Sequence, residues 1–239
     1  MNILITICAR GGSKGIPGKN IKLLNDIPLI AYSIKIAKQF AINKNCTIAL
    51  STDDLAIKKV ASKYGLISNY KRPKKLASDQ AGKVETIRDI LLYYEKKCNN
   101  VFDYVLDLDV TSPLRTLEDL EMSLQILQQD KTAINLFSVS NANRNPYFNM
   151  VELKKNNYYN LVKKQGDFLS RQNAPKVYDL NASFYFYKRK FFTKNLHTVF
   201  TSNSLIYLVP HLCFDLDHKI DFEFLNFLIK NKKLDIKIW

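Results

Sequence analysis

The chain reads as an α/β protein built on a parallel, doubly wound sheet. Three observations predict it: apolar runs of strand length alternate with segments of helical spacing, short polar loops join them, and several runs end in polar clusters of the kind that gather ligands at strand C-termini. With 239 residues and 46% hydrophobic content the sequence can bury a sizeable core, which suits one domain spanning residues 1–239 and excludes a disordered chain.

The first run, Ile3, Leu4, Ile5 and Ile7, passes without a break into a loop at residues 10–20, RGGSKGIPGKN. Residues 23–26 read as a short connector. Pro28 then opens a helical pattern through Leu29, Ile30, Tyr32, Ile34, Ile36 and Ala37, a first-turn position that proline tolerates. A second strand at 46–50 ends in Ser51, Thr52, Asp53 and Asp54, which serve equally well as caps for the helix expected at 55–64 or as site residues. Residues 65–70 offer a third strand, followed by the loop RPKKLASD at 72–79 and a helix at 83–96. The fourth strand, YVLDLD at 104–109, is apolar except for Asp107 and Asp109, and one of those carboxylates must point somewhere special.

The turn VTSPLR follows at 110–115, Thr116 can cap a helix at 117–129, and 133–139 is a fifth strand. From residue 141 to 162 the composition becomes rich in Tyr, Phe and Asn, with an Asn156-Asn157 turn between two extended pieces, so a protruding hairpin is expected, an arm suited to dimerisation. A strand at 180–187 carries Phe184, Tyr185, Phe186 and Tyr187, which belong in a core. A run from Tyr207 ends in FDLDH at 214–218, and a helix at 221–229 closes the chain. On this topology the loop at 10–20, the cluster at 51–54 and the segment 109–115 share one rim.

The net charge of +14 suits anionic partners, yet the lysines are scattered with no basic block of five or more. Cys8, Cys46, Cys98 and Cys213 show no CxxC pairing, so they read as reduced thiols and the expected address is the cytoplasm. No apolar run approaches the ~20 residues of a membrane span. His197, His211 and His218 lack zinc spacing, no GxSxG supports a serine triad, and no nucleic-acid-binding signature occurs, which ranks a basic nucleic-acid module well behind an enzyme.

The chemistry concentrates in two places. Only seven glycines occur, and four of them (Gly11, Gly12, Gly15, Gly18) lie in the first loop with Arg10, Lys14 and Lys19, so backbone N–H groups and cations can crowd around a polyphosphate. The spacing is neither a P-loop, which would need glycine at Ser13 and Ser or Thr at Asn20, nor a GxGxxG fingerprint. Asp215 and Asp217, at i and i+2, face one side of an extended segment and can hold magnesium on phosphates, although two aspartates before a helix also commonly just cap it. Together with Asp109 on the rim they describe a device for nucleotidyl or phosphoryl transfer.

The motifs RGGSKGIPGKN (10–20), STDD (51–54), RPKKLASD (72–79), TSPLR (111–115), Arg171-Gln172, NASFY (181–185) and DLD (215–217) occur in an order and spacing that resembles the acylneuraminate cytidylyltransferases, the CMP-sialic acid synthetases. The resemblance spans nearly the whole chain. It implies a Rossmann-like, doubly wound, mostly parallel sheet of nucleotidyltransferase type with a protruding dimerisation arm, placed at residues 141–180, and an enzyme that joins CTP to a nonulosonic acid with Mg2+ or Mn2+ and releases pyrophosphate. By motif match, Arg10, Gly11, Gly12, Ser13, Lys14, Gly15, Lys19 and Asn20 would hold the nucleotide, with Arg72, Asp79 and Ala81 at the cytosine. Lys19, Arg10 and Asp217 would act in catalysis, Asp215 and Asp217 on the metal, and Asp109, Thr111, Ser112, Arg115, Arg171, Gln172, Asn181 and Tyr185 on the sugar. The resemblance also implies a homodimer and assigns no role to nucleic acid or membrane. Where many sialic acid enzymes read LQPTSPLR, this chain carries Asp109 in place of a sugar-contacting glutamine, and LDxTSPLR with NPYFNMV at 145–151 looks more like legionaminate-activating relatives. Neuraminate, pseudaminate and 3-deoxy-manno-octulosonate follow as alternative acceptors. Asp109 then either meets an amino or amide group of the sugar or ligates a second magnesium.

Overall fold

The structure is a computed structural model that describes every residue except Lys14, Gln165, Asp167 and Trp239. In chain order its elements are β1 (Asn2–Cys8), β2 (Leu23–Leu24), β3 (Ile27–Pro28), α1 (Leu29–Ala41), β4 (Asn45–Ser51), α2 (Leu55–Lys63), α3 (Lys83–Cys98), β5 (Tyr104–Asp109), α4 (Leu117–Gln129), β6 (Asn135–Asn141), β7 (Val151–Leu153), β8 (Tyr159–Leu161), β9 (Tyr178–Lys188), α5 (Arg189–Thr193), β10 (Ser204–Leu208) and α6 (Lys219–Lys230). Six strands form one sheet in the order β4-β1-β5-β9-β6-β10. All run parallel except β9, which is antiparallel to both of its neighbours. The chain leaves β1 through α1 to reach β4 on one side and returns through α3 to β5 on the other. That reversal opens a crevice at the carboxyl ends of β1 and β5.

Strand periodicity divides the core between the two faces of the sheet. Ile3, Ile5 and Ile7 of β1, Leu106 and Leu108 of β5, and Phe184 and Phe186 of β9 pack against α1, α4 and α6. Leu4, Val105, Tyr185 and Tyr187 face the opposite way, toward α3 and α5. The alternating aromatics of β9 are thus shared between two cores.

Two sequence expectations change. Residues 65–70 are not a strand, although Leu66 and Tyr70 are buried as alternation requires. The Ser68 hydroxyl, not a backbone N–H, donates to Leu50 O of the edge strand at 3.0 Å, and Arg72 N meets Thr52 O beyond it, so no ladder forms. The run expected to end in FDLDH pairs only as β10, and Asp215 and Asp217 lie in the irregular segment after it. That segment is pinned from the side: Leu216 N donates to Thr111 O at 2.9 Å and the Ser112 hydroxyl lies 3.1 Å from Phe214 O. The expected hairpin is present as β7 paired antiparallel with β8 around the Asn156-Asn157 turn, where Asn157 takes φ 64°.

The NASFY motif sits where β9 bulges. Between Phe137↔Tyr185 and Val139↔Leu180 the register shifts, and Ala182 adopts φ 57°. The bulge turns Asn181 and Ser183 into a buried polar cluster: Asn181 Oδ1 accepts from Ser138 Oγ at 2.6 Å, and Ser112 Oγ donates to Asn181 O at 2.8 Å. Arg115 completes it, donating to Ser183 O, Asp109 O and Ser33 Oγ.

A second buried pair anchors the far end. His211 Nε2 lies 2.8 Å from Asp119 Oδ2, Tyr207 OH donates to Asp119 Oδ1, and the same carboxylate closes the capping box of α4 with Thr116; the His211 and Asp119 side chains are 6% and 2% exposed. Burial alone would lower the His211 pKa, but the hydrogen bond to Asp119 raises it above 6.5; burial opposes ionisation of Asp119, but His211 and Thr116 hold its carboxyl below 3.8. A group with a raised folded pKa contributes fully below its unfolded value and loses that contribution as pH rises through the folded one. Urea unfolding across a pH series should therefore show His211→Gln less stable than wild type by about 1–3 kcal/mol near pH 6, the scale of a hydrogen bond to a charged group, with the gap narrowing as pH climbs above the raised histidine value. A gap independent of pH would mean that the pair carries no ionic component.

Candidate active site

A cavity of about 440 Å³ fills the crevice at the ends of β1 and β5. Arg10, Ser13, Gly15, Lys19 and Asn20 line it from the glycine loop, Arg72, Leu76, Ser78, Asp79 and Ala81 from the segment before α3, and Lys83 and Thr86 from α3 itself. Cys8, Asp109, Thr111 and Asp217 complete the wall.

The glycine loop is held by contacts at both ends. Buried Asn20 donates to Arg10 O at 2.8 Å, and Gly11 N donates to Asp53 Oδ1 at 3.1 Å. Gly18, at φ 65°, makes the left-handed step into the 3-10 turn Lys19–Ile21 that presents Lys19. Arg10 reaches across the cavity to Asp79 at 2.7 Å, and Lys19 Nζ donates to Leu216 O at 2.8 Å and lies 3.4 Å from Asp217 Oδ1. Two motifs almost 200 residues apart in sequence thereby meet.

The cluster 51–54 divides its labour. Asp54 caps α2 through Ala56 N and Ile57 N, whereas Asp53 holds the glycine loop. Ser51 holds buried Arg72, whose Nε donates to Ser51 Oγ and Nη2 to Ser51 O, both at 2.9 Å. Capping and site construction are both realised there, by different residues.

The floor between β1 and β5 is a knot of charge. Lys83 Nζ lies 2.5 Å from Asp109 Oδ2 and 3.3 Å from Asp107 Oδ2, with the Tyr185 ring centroid 4.4 Å away. Asp107 is fully buried and also accepts from Thr6 Oγ1 at 2.6 Å. Burial disfavours the Lys83 ammonium, but Asp109 and Asp107 more than compensate and push its pKa well up. Burial likewise disfavours the Asp109 carboxylate, yet Lys83, Thr111 and Arg115 hold its pKa down, so both groups stay charged. Burial pulls Arg115 down to about 10, against the attraction of Asp109, which leaves it protonated at neutral pH. Burial and then Asp107 push the Cys8 thiol up to about 12, so it is no nucleophile.

The expected site residues fall into groups. Arg10, Ser13, Gly15, Lys19, Asn20, Arg72, Asp79, Ala81, Asp109, Thr111 and Asp217 line the one cavity. Gly11 and Gly12 belong to its loop, while Lys14 lies outside the described residues. Ser112, Arg115 and Asn181 are buried behind the wall in the polar cluster of the β9 bulge, and Tyr185 is buried beside Lys83, so these four shape the site without lining the cavity. Arg171 and Gln172 are exposed near the hairpin, where Arg171 donates to Ala142 O. Asp215 is half-buried, and burial, then Asp109, raises its carboxyl above the usual range. Sequence reasoning missed Lys83, Cys8, Thr86, Leu76 and Ser78. The one signal for Lys83 was indirect, since two carboxylates in an apolar strand require a cation.

The Cytidylyltransferase family profile matches residues 4–234. A protein named "Post-translational flagellin modification protein B" from Campylobacter coli is 42% identical over 98% of both chains. The CMP-N,N'-diacetyllegionaminic acid synthase of Campylobacter jejuni is 40% identical over 98% of both. Among solved structures, a CMP:2-keto-3-deoxy-manno-octonic acid synthetase complexed with CTP superposes with a TM-score of 0.70 at 15% identity, covering 97% of this chain and 100% of that one, a likeness of fold.

Two glycines of the loop differ in what they tolerate. A Cβ on Gly15 would stand 2.7 Å from the backbone oxygen of Asp217, whereas one on Gly12 meets nothing within 4 Å. Gly15→Ala must therefore push the loop off the DLD segment, and it is expected to weaken nucleotide binding by roughly tenfold or more, about 1.4 kcal/mol, by calorimetry. Gly12→Ala displaces no protein atom and should leave the loop where it is, with a smaller loss of binding than Gly15→Ala. Equal effects of the two substitutions would contradict the close approach.

Proposed function

The chain belongs to the cytidylyltransferase family, and from that premise we propose that it joins CTP to a nonulosonic acid, giving the CMP-sugar and pyrophosphate. The observation that carries this reading is the meeting of Lys19 with Asp217 at the mouth of a cavity walled by the glycine loop. Backbone N–H groups and Lys19 receive the triphosphate, and the pocket bounded by Arg72, Leu76, Ser78 and Ala81 receives the base. The acceptor enters from the side of Asp109 and Thr111. Its anomeric hydroxyl oxygen attacks the α-phosphorus in line, the bond to the leaving pyrophosphate breaks, and the hydroxyl proton is released. Lys19 neutralises the charge that accumulates on the departing phosphates.

The residues present fit a hard divalent cation. Asp215 and Asp217 supply oxygen donors, and Asp215 is held above the usual carboxylate range by burial and by its carboxylate neighbours, a repulsion that a cation relieves. Two carboxylates with the rest of the shell from phosphate and water are a donor set that Mg2+ accepts. Bound there, the ion would add positive charge against the phosphates.

Legionaminic acid leads the acceptor series because the relative of that name matches 98% of the chain and Asp109 replaces the expected glutamine. The exposed apolar side chains Val151, Leu153, Tyr158 and Tyr159 of the hairpin support a homodimer in which the arm, with Arg171 and Gln172, covers a partner. All four cysteines are unpaired, in keeping with a reducing cytoplasm, and no described helix is long and apolar enough to cross a membrane.

Pyrophosphate release should require CTP, magnesium and a nonulosonic acid together, fastest with the legionaminic acid in a panel that includes neuraminic, pseudaminic and 3-deoxy-manno-octulosonic acids. No release with any of them would refute the reading. Asp217→Asn should lower turnover by at least ~100-fold, the cost of about 2.7 kcal/mol in the transition state, with the thermal midpoint little changed because the Asp217 side chain is 66% exposed. A folded variant with full turnover would reduce the aspartate to a cap.

A further inference from the structure

Asp109 occupies the position from which a sugar contact is expected, but both of its carboxylate oxygens are already in use. Oδ1 accepts from Thr111 N and Thr111 Oγ1, each at 3.1 Å, and Oδ2 accepts from Lys83 Nζ at 2.5 Å. Lys83 projects from the first turn of α3 into the cavity wall with 31% of its side chain exposed, against 20% for Asp109 and none for Asp107. An ammonium has three N–H donors, and Asp107 and Asp109 take two. The clamp is stiff: one carboxylate lies wholly in the interior and is fixed by Thr6, the other by the turn at Thr111, and the Tyr185 ring is packed beside the ammonium.

We propose that Lys83 is a specificity-determining residue, which gives its third N–H to an uncharged carbonyl or hydroxyl oxygen of the acceptor sugar, and that Asp109 is a positioning residue that aims it. The proposal rests on the cytidylyltransferase reading above. The charge of the clamp chooses the partner. Asp107 and Asp109 offset the Lys83 ammonium, with Arg115 balancing the second carboxylate, so the clamp has no excess positive charge to attract a phosphate or the acceptor's own carboxylate, and neutral oxygen is the complement. The triphosphate has its own cations, Arg10 and Lys19, on the glycine loop that lines the same cavity. A site built around a fixed donor discriminates sharply, because an acceptor that lacks the matching oxygen leaves the donor unpaired.

The test is steady-state kinetics with the legionaminic acid acceptor, together with calorimetric CTP binding, on wild type, Lys83→Met, Asp109→Asn and the double variant. Lys83→Met should raise the acceptor KM by about 10–100-fold, the loss of one charge-assisted hydrogen bond, while the CTP Kd moves less than about threefold. Asp109→Asn should impair acceptor use in the same sense, and the double variant should be no worse than Lys83→Met, since the aspartate acts through the lysine. An acceptor with its acylamino group removed tells the two neutral oxygens apart. If the effect of Lys83→Met disappears with that acceptor, the carbonyl is the partner; if it persists, a hydroxyl is. If Lys83→Met does not fold, Lys83→Arg is measured instead, and it should shift the ranking of acceptors without changing the CTP Kd. Equal losses for CTP and acceptor, additive effects of the two single substitutions, or unchanged acceptor kinetics in a folded Lys83 variant would overturn the proposal alone. A wild type inactive with every acceptor would bring down the enzyme reading along with it.

Discussion

The site depends on one balance of buried charge, at the carboxyl end of β5. Asp107 and Asp109 enter the interior on a strand that is otherwise apolar, a placement that costs several kcal/mol per ion unless it is matched by cations and hydrogen bonds. Lys83 supplies the match from α3 and Arg115 from the turn after the strand. Because each cation comes from a different element, the balance also fixes geometry: α3 is held to the sheet end, and the TSPLR turn is held to β9. The cavity is the space that this arrangement leaves open.

Around that floor, the other walls are attached by short polar contacts. The glycine loop is tied to the turn after β4 through Asp53, to itself through Asn20 and to the DLD segment through Lys19. The DLD segment rests in turn on the TSPLR turn through Leu216 and Phe214. The glycine loop and Asp217 are thereby brought together on the wall of one cavity, in contact through Lys19. The Asp217 segment and the Asp109 floor share a support, so a change in the turn at 111–115 reaches both.

Much of this was legible beforehand. The alternation of apolar runs and helical spacings located β1, β4, β5, β9 and the principal helices, because burial on a sheet and burial on a helix impose different periods. The cap at Thr116 placed α4 at Leu117–Gln129. Alternation failed at residues 65–70, where Leu66 and Tyr70 are buried as in a strand but the Ser68 side chain takes up the β4 edge in place of a ladder. It failed also at 207–218, since a run of apolar residues says nothing about where its pairing partner stops. The buried places of Ser112, Arg115 and Asn181 were hidden for a related reason: a bulge in β9 at Ala182 sets where Asn181 and Ser183, the groups that Ser112 and Arg115 meet, come to lie, and an alanine at φ 57° announces nothing in a sequence.

By itself the sequence determined the fold class and the family, because periodicity and motif order are local properties that survive without coordinates. Only the tertiary structure decided that the two carboxylates of β5 share Lys83. That lysine is 24 residues from Asp107 and 26 from Asp109, and it belongs to no motif. Charges that neutralise one another across elements are selected by distance in space, and spacing along the chain carries no record of it.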